Sequence, residues 1–402
     1  MTLDDPDRKQ LPENADYTSE QAMSTLSIVL PTMNEQEGIA ECLDAIDTAV
    51  AELGVSAEII VSDSSTDRTP EIAREHGATV VEPDKPGYGY AYRYAFERAS
   101  GEYVVMGDAD TTYDFEELPA LFEHLRVTDA DLVLGSRFAG EIEPGAMPWL
   151  HQHIGNPALT AFLNRFYDAD VTDAHSGFRI VRRSVLEDLD LQADGMEFAS
   201  EMIMAASARG YSIEEVPIRY SQRRGEPTLD SLRDGWQHLR FMLVNAPGYL
   251  FSIPGAVLVI AGIAVMSLAF FNVELVVGGQ PIWFGVRTMV VGSLLTIVGY
   301  QIASLGIFAT MTADPIRRPS DPTTEWVLTN LTLERGLAIG LGLTILGALY
   351  ASTVVAQWLT QGYPALTALT RDIAAFTAVV VGIQTIFGSF FLGTVRSAHD
   401  QP

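Results

Sequence analysis

Two patterns of apolar positions divide the chain. Over roughly the first 240 residues, short β-branched runs alternate with stripes at helical spacing; beyond them come long apolar stretches with few charges. Leu26-Ser-Ile-Val-Leu30 predicts a strand that ends at Pro31. Residues 34–53 predict an amphipathic helix with Ile39, Leu43, Ile46, Val50 and Leu53 on one stripe. Glu58-Ile-Ile-Val-Ser62 predicts a second strand, and the polar cluster Asp63-Ser-Ser-Thr-Asp67 turns the chain and caps a helix starting near Pro70. Thr79-Val-Val81 predicts a third strand, after which Pro86-Gly-Tyr-Gly89 opens a helix over 90–99. A fourth strand is expected over 102–107, a fifth over 131–134, and a helix over 196–209. Strands alternating with helices imply an α/β, doubly wound, mostly parallel sheet.

Four apolar segments, about 249–271, 285–310, 336–358 and 372–394, reach the ~20 residues a membrane helix needs. Just before them, Leu229, Leu232, Trp236, Leu239 and Leu243 form a stripe flanked by Arg233, His238 and Arg240, which predicts an amphipathic helix at the membrane surface. The greasy stretch Trp149, Ile154, Leu159, Phe162, Leu163 and Phe166 either lies at that surface or packs on the sheet. The regions expected are therefore an acidic disordered tail over 1–24, an α/β domain over 25–228, an interfacial helix over 229–247 and an all-α membrane domain over 248–396. Arg233 and Arg240 precede the first span, and Arg317, Arg318 and Arg335 lie between the second and third. Loop 272–283 has no Lys or Arg, so the positive-inside rule puts both termini in the cytoplasm.

Charge sharpens this division. Residues 1–240 hold 45 of the 52 acids and 19 of the 25 bases, a net charge of −26. Only Lys9 and Lys85 are lysines. An acidic, Lys-poor surface suits concentrated salt, where screening removes self-repulsion, and it offers no basic stripe for nucleic acid. The single cysteine, Cys42, excludes an internal disulfide and reads as a core filler.

In a doubly wound sheet, ligands bind beyond the C-terminal strand ends. The polar residues expected there are Asn34-Glu35, Asp63, Asp108 with Asp110, and Ser136-Arg137. Asp108-Ala-Asp110 presents two hard oxygen ligands to one divalent cation. Mg²⁺ or Mn²⁺ would keep positions open for a diphosphate.

Pro31-Thr-Met-Asn34-Glu35, Asp63-Ser-Ser-Thr-Asp67, Asp108-Ala-Asp110 and Ser176-Gly-Phe-Arg179 together resemble glycosyltransferase family 2, whose members have the GT-A fold. Gly135-Ser-Arg137-Phe, Met196-Glu-Phe-Ala-Ser-Glu201, Glu215-Val-Pro-Ile218 and the trailing spans narrow the likeness to polyprenyl (dolichyl) phosphate mannose or glucose synthases, and the acidic surface to a haloarchaeal member. The resemblance covers about residues 25–245. It implies an inverting, membrane-bound hexosyltransferase that takes a UDP- or GDP-hexose to dolichyl phosphate for surface glycosylation. It also implies donor-binding roles for Pro31, Glu35, Asp63, Lys85, Asp108 and Asp110. Gly87 and Gly89 would admit the nucleotide or simply make the turn, Asp108 and Asp110 would hold the metal, and Arg137, Arg179, Arg223 and Arg224 would face the phosphates, the alternative for Arg137 being a salt bridge. Glu201 would reach sugar hydroxyls, and Asp173 is the first candidate for a catalytic carboxylate. The sequence departs from the resemblance at Arg224-Gly225-Glu226-Pro227-Thr228, which lacks the usual Ser-Lys and with it one phosphate contact.

A phosphate acceptor, with a second pKa of about 6, does not require a general base. Its site must instead neutralise two anionic reactants and align them, which suits arginines. Two rival readings are a processive polysaccharide synthase, hinted at by Gln237-His-Leu-Arg240-Phe241, and a non-catalytic carrier that senses nucleotide sugars. A carrier would need intramembrane charges, and the spans hold only Arg287 and Asp372 near their ends.

Overall fold

The computed structural model describes residues 25–225, 231–277, 280–312, 321–360 and 369–399. The expected tail over 1–24, Leu229 of the amphipathic stripe, Glu226-Pro227-Thr228 and the Arg317-Arg318 pair lie outside them.

Seven strands form one sheet: β1 (Leu26–Thr32), β2 (Ala57–Asp63), β3 (Thr79–Val81), β4 (Tyr103–Met106), β5 (Leu132–Ile142), β6 (Arg179–Arg182) and β7 (Ile213–Tyr220). Their order is β3-β2-β1-β4-β6-β5-β7, and β6 alone runs against the others. The first four strands fall where the apolar runs placed them, although β1 continues through Pro31 to Thr32. β5 is much longer than the expected 131–134, because it pairs with β7 past a bulge between Ser136 and Glu141. Arg137 is therefore inside a strand, at the bulge, and not beyond a strand end.

Helices cover both faces of the sheet. On one face lie α1 (Ile39–Leu53), α2 (Thr69–Glu75) and, later in the chain, α4 (Leu118–Thr128), packing Ile39, Leu43, Ile46, Leu121 and Phe122 on Ile28, Leu30 and Val105. Cys42 is buried in that core. α1 begins at Ile39, five residues after the expected start, because residues 33–38 form a turn instead. The other face carries α3 (Tyr88–Phe96), α5 (Asn156–Tyr167), α6 (Arg183–Leu189) and α7 (Phe198–Arg209), around Tyr92, Leu163, Phe198 and Met202. Tyr92 stacks on Phe198 with ring centroids 5.5 Å apart.

α8 (Ser231–Val244) buries His238 and Met242 in this second core, while Trp236 remains 60% exposed. The stripe read from the sequence is thus not the face that meets the sheet. Phe166 of α5 touches Tyr249 at 4.2 Å between ring centroids, where the chain turns into α9 (Ile253–Phe270). A hairpin of β8 (Glu274–Val277) and β9 (Gln280–Trp283) leads to α10 (Val286–Thr312), followed by α11 (Pro322–Asn330), α12 (Leu333–Thr360) and α13 (Leu369–His399).

Among the described residues, four helices are long and apolar enough to cross a membrane: Gly248–Phe270, Val286–Thr312, Leu333–Thr360 and Leu369–Val395. In hydrocarbon, where apolar surface gives helices no reason to associate, close backbone packing and buried hydroxyls must do so. A Cβ added to Gly255 would lie 2.4 Å from the Ala303 nitrogen, so α9 and α10 pack backbone to backbone. The Ser293 and Thr377 hydroxyls, 2.7 Å apart, and the Tyr300 hydroxyl donating to Thr385 at 2.9 Å join α10 to α13.

Candidate active site

The C-terminal ends of β1, β2 and β4 lie side by side along one edge of the sheet, and the segment after β7 returns to them through Arg223 and Arg224. Loops after β1 and β2 are stitched together locally. The Asn34 amide oxygen accepts from the Thr66 N–H at 2.9 Å, and the Glu35 N–H donates to the Thr69 hydroxyl at 2.9 Å. Asp63 accepts from the Thr32 hydroxyl at 2.7 Å and the Ser65 hydroxyl at 2.5 Å, and is only 4% exposed. Its carboxylate organises these loops.

Asp108 and Asp110 follow β4. Asp110 accepts from the Thr112 N–H at 3.1 Å and its hydroxyl at 2.5 Å, and between them Thr111 is held at φ 66°. A β-branched residue rarely adopts that conformation, so the turn stores strain directly after the two carboxylates. Asp108 accepts from the Tyr88 hydroxyl at 2.9 Å. A Cβ on Gly177 would come within 2.8 Å of its other oxygen, so only glycine lets the 173–179 segment pass so close. Burial, then the neighbouring Asp110 charge, raises the Asp108 pKa. Two hard oxygen donors whose charges oppose each other suit a divalent cation. Among the described residues no group of three or more His, Cys, Asp or Glu side chains is placed to hold a metal, so substrate and water oxygens would complete the coordination of such an ion.

Glu35 and Arg223 stand across from this pair. An Arg223 N–H donates to Glu35, and its other terminal nitrogen lies 3.6 Å from Asp110. Burial pushes the Glu35 pKa up to about 7 against the pull of Arg223. The Arg224 N–H donates to the Asp110 carbonyl at 3.0 Å, and its guanidinium meets Glu41 at 2.5 Å. Pro31 lies near the end of β1, half-buried.

Several residues do not sit as the sequence suggested. Arg137 is taken up by a partner in the protein: it grips Asp173 through Nε to Oδ2 at 2.7 Å and Nη2 to Oδ1 at 2.8 Å. Asp173, fully buried, is correspondingly unsuited to act as a base. Burial opposes its charge, yet the Arg137 guanidinium holds its carboxyl below the usual range. Arg179 is also fully buried and donates to the carbonyls of Ser176, Ala199 and Ala174, bracing the 173–179 segment from behind. Glu201, buried at 4% exposure, accepts from the N–H groups of Gln192 and Ala193 at 2.9 and 2.8 Å, which ties the preceding loop to α7. Lys85 is exposed, 5.1 Å over the Tyr90 ring. What Gly87 and Gly89 admit is the backbone of residues 193–195, since a Cβ at either would meet a carbonyl oxygen at 2.4 Å. His175 meets His238 through Ser200, whose hydroxyl is 3.2 Å from one ring and 3.0 Å from the other.

Tyr88 and Tyr113 were missed by sequence reasoning. Tyr113 accepts from the Gly177 N–H at 2.7 Å and so fixes the segment that passes Asp108. Their only signal is an aromatic beside a glycine turn or an acidic pair, which is common in cores.

The Glycosyl transferase family 2 profile matches residues 27–190. Low-salt glycan biosynthesis hexosyltransferase Agl6 of Haloferax volcanii is 52% identical over 371 residues, covering 92% of this chain and 89% of that protein. The chain belongs to glycosyltransferase family 2. As a family 2 enzyme it carries the GT-A sheet, and residues 310–396 match the Glycosyltransferase family 2 C-terminal transmembrane region. With its four apolar helices it is a multi-pass membrane glycosyltransferase. A dolichyl-phosphate hexose transferase, also of Haloferax volcanii, is 35% identical over 217 residues, 54% of this chain and 92% of that one. Among solved structures, glucosyl-3-phosphoglycerate synthase from Mycobacterium tuberculosis aligns with 27% identity and a TM-score of 0.46 over 55% of this chain and 79% of that one.

Proposed function

We propose that this enzyme transfers a hexose, with inversion, from a UDP- or GDP-sugar to a polyprenyl (dolichyl) phosphate, supplying lipid-linked sugar for surface glycosylation. The observation that carries this reading is the Asp108–Asp110 pair at the end of β4, faced by Arg223 and lying against the 173–179 segment. That segment is joined through His175, Ser200 and His238 to α8, which leads into the first membrane helix. An anionic lipid headgroup entering from the bilayer would thus arrive beside the carboxylate pair. The relation to a dolichyl-phosphate hexose transferase supports such an acceptor.

Asp108 and Asp110 would hold Mg²⁺ or Mn²⁺, which supplies Lewis-acid stabilisation of the departing nucleoside diphosphate. Pro31, Glu35 and the loops set by Asp63 would bound the nucleoside. Arg223 and Arg224, at the mouth of the crevice, are the cations nearest the phosphates. Asp173, Glu201, Arg137 and Arg179 act by holding the walls of the site. The soluble domain, ending near residue 228, and both termini face the cytoplasm in this reading, with α8 at the membrane surface. Incubating membranes with radiolabelled nucleotide hexoses tests the proposal: label should enter a chloroform-soluble, mild-acid-labile lipid. Label growing into a polymer of increasing length would instead establish a processive synthase.

A further inference from the structure

Arg223 occupies a place a metal ion would contest. Its guanidinium bridges two carboxylates from different loops, donating to Glu35 and standing 3.6 Å from Asp110 Oδ2. All three side chains are largely covered, 22%, 11% and 11% exposed for Arg223, Glu35 and Asp110. Its Nε–H is buried with no partner among the described residues, so the side chain is seated by its terminal nitrogens alone. The backbone beneath it is pinned separately, by the Arg224 N–H on the Asp110 carbonyl at 3.0 Å and by Arg224 on Glu41. Arg223 can therefore leave the carboxylates by rotating its side chain, with the main chain unmoved.

A divalent cation and a guanidinium compete for one carboxylate, because their like charges repel at short range in a partly covered site. A displaced guanidinium in turn needs another anion, and a diphosphate offers two oxygens in the spacing its fork matches. We propose that Arg223 is an internal counter-ion, neutralising Glu35 and Asp110 until metal and donor diphosphate arrive together, and then turning to the diphosphate. The inference rests on reading Asp108 and Asp110 as the metal-holding pair. Its consequence is coupling: metal alone must compete with Arg223, whereas metal with diphosphate gives Arg223 somewhere to go.

The test is Mn²⁺ binding to the full-length, detergent-solubilised protein without nucleotide, followed by the loss of the free-ion paramagnetic resonance signal. Arg223→Gln should bind Mn²⁺ about tenfold more tightly than the wild type. UDP or GDP should also tighten Mn²⁺ binding less in that variant than in the wild type. Arg223→Lys keeps the charge but cannot bridge both carboxylates, so it should fall between the two and decides the matter should the Gln variant fail to fold. Unchanged or weaker Mn²⁺ binding in the folded variants overturns the counter-ion role. Asp110→Asn separates the two readings. If it binds Mn²⁺ as the wild type does, the metal assignment itself has failed. If it loses the ion while Arg223→Gln gains nothing, only the counter-ion role falls.

Discussion

Arg137 and Asp173 lock β5 to the 173–179 segment through a buried fork of 2.7 and 2.8 Å, and the Arg137 backbone N–H adds a third bond to the same carboxylate at 3.0 Å. Asp173 is also placed by its own N–H, which donates to Glu215 on β7 at 2.9 Å. Breaking such a pair leaves a charge buried without compensation, costing about 3–5 kcal/mol. Asp173→Asn and Arg137→Ala should each lower unfolding stability by that order in denaturant titrations. Arg137→Lys should recover only part, because the charge survives while the fork does not. A stable, fully folded Asp173→Asn that is nevertheless inactive would return Asp173 to the chemistry.

The Asp108–Asp110 pair predicts the opposite split between stability and activity. EDTA should abolish transfer and Mg²⁺ or Mn²⁺ restore it. Asp110→Asn should lower kcat at least about a hundredfold, since a bound cation contributes several kcal/mol of charge stabilisation. The melting temperature should hold or rise, because the substitution removes a charge that opposes Asp108. Metal-independent activity in that variant would sink the assignment.

What could be read ahead of the structure follows the range of the interactions involved. β1 to β4 and the four spans were legible because their apolar runs and flanking turn residues are local signals. β6 was not: Arg179-Ile-Val-Arg182 is four residues with a charge at each end, and only its neighbours β4 and β5 make it a strand. The long β5 hid behind Gly135, Ser136 and Gly140, whose place in a strand depends on register with β7. The acidic pair and Glu35 were visible as strand-end carboxylates. The pairing of Arg137 with Asp173, 36 positions apart, was not, so both looked available for chemistry. Burial likewise reassigned Arg179 and Glu201, because a sequence shows a charge but not which backbone groups will claim it.

Acid should weaken the fold through its histidines. Burial lowers the pKa of His238 from 6.5 to about 4. Between those values the unfolded chain binds the extra proton and the folded one does not. Stability is therefore full above pH 6.5 and falls as pH drops towards 4, by about 3 kcal/mol at 1.36 kcal/mol per unit. His238→Gln, which can keep a hydrogen bond to Ser200, should flatten that slope in unfolding titrations across the window. An unchanged slope would place the acid sensitivity elsewhere.

The membrane helices should tolerate bulk very unevenly. Gly299 on α10 lies so close to α9 that a Cβ would meet the Val259 nitrogen at 2.7 Å, whereas Gly342 on α12 has nothing within 4 Å. Gly299→Leu should destabilise the helix bundle by at least about 1–3 kcal/mol, and Gly342→Leu should be near neutral. Thermal inactivation of the detergent-solubilised variants compares them. Equal sensitivity would mean that α9 and α10 do not pack this closely.

The last prediction concerns the proton on the acceptor. Asp173 is held by Arg137, Glu201 by two backbone N–H groups, and Asp63 by the Thr32 and Ser65 hydroxyls, so none of them is placed to receive a proton from an incoming hydroxyl. A phosphate monoester needs no such help, because its second ionisation lies near pH 6. Transfer to a polyprenyl phosphate should therefore rise through about pH 6 and level off above it. The decisive step is to change the acceptor and keep the enzyme. A fluorinated polyprenyl phosphonate, with a more acidic second ionisation, should move that limb to lower pH. Glu35 is the competing source of a limb, since burial pushes its pKa up to about 7. A limb that stays near pH 7 whatever the acceptor, and disappears in Glu35→Gln, would make Glu35 the titrating group and the lipid phosphate a bystander to the pH dependence.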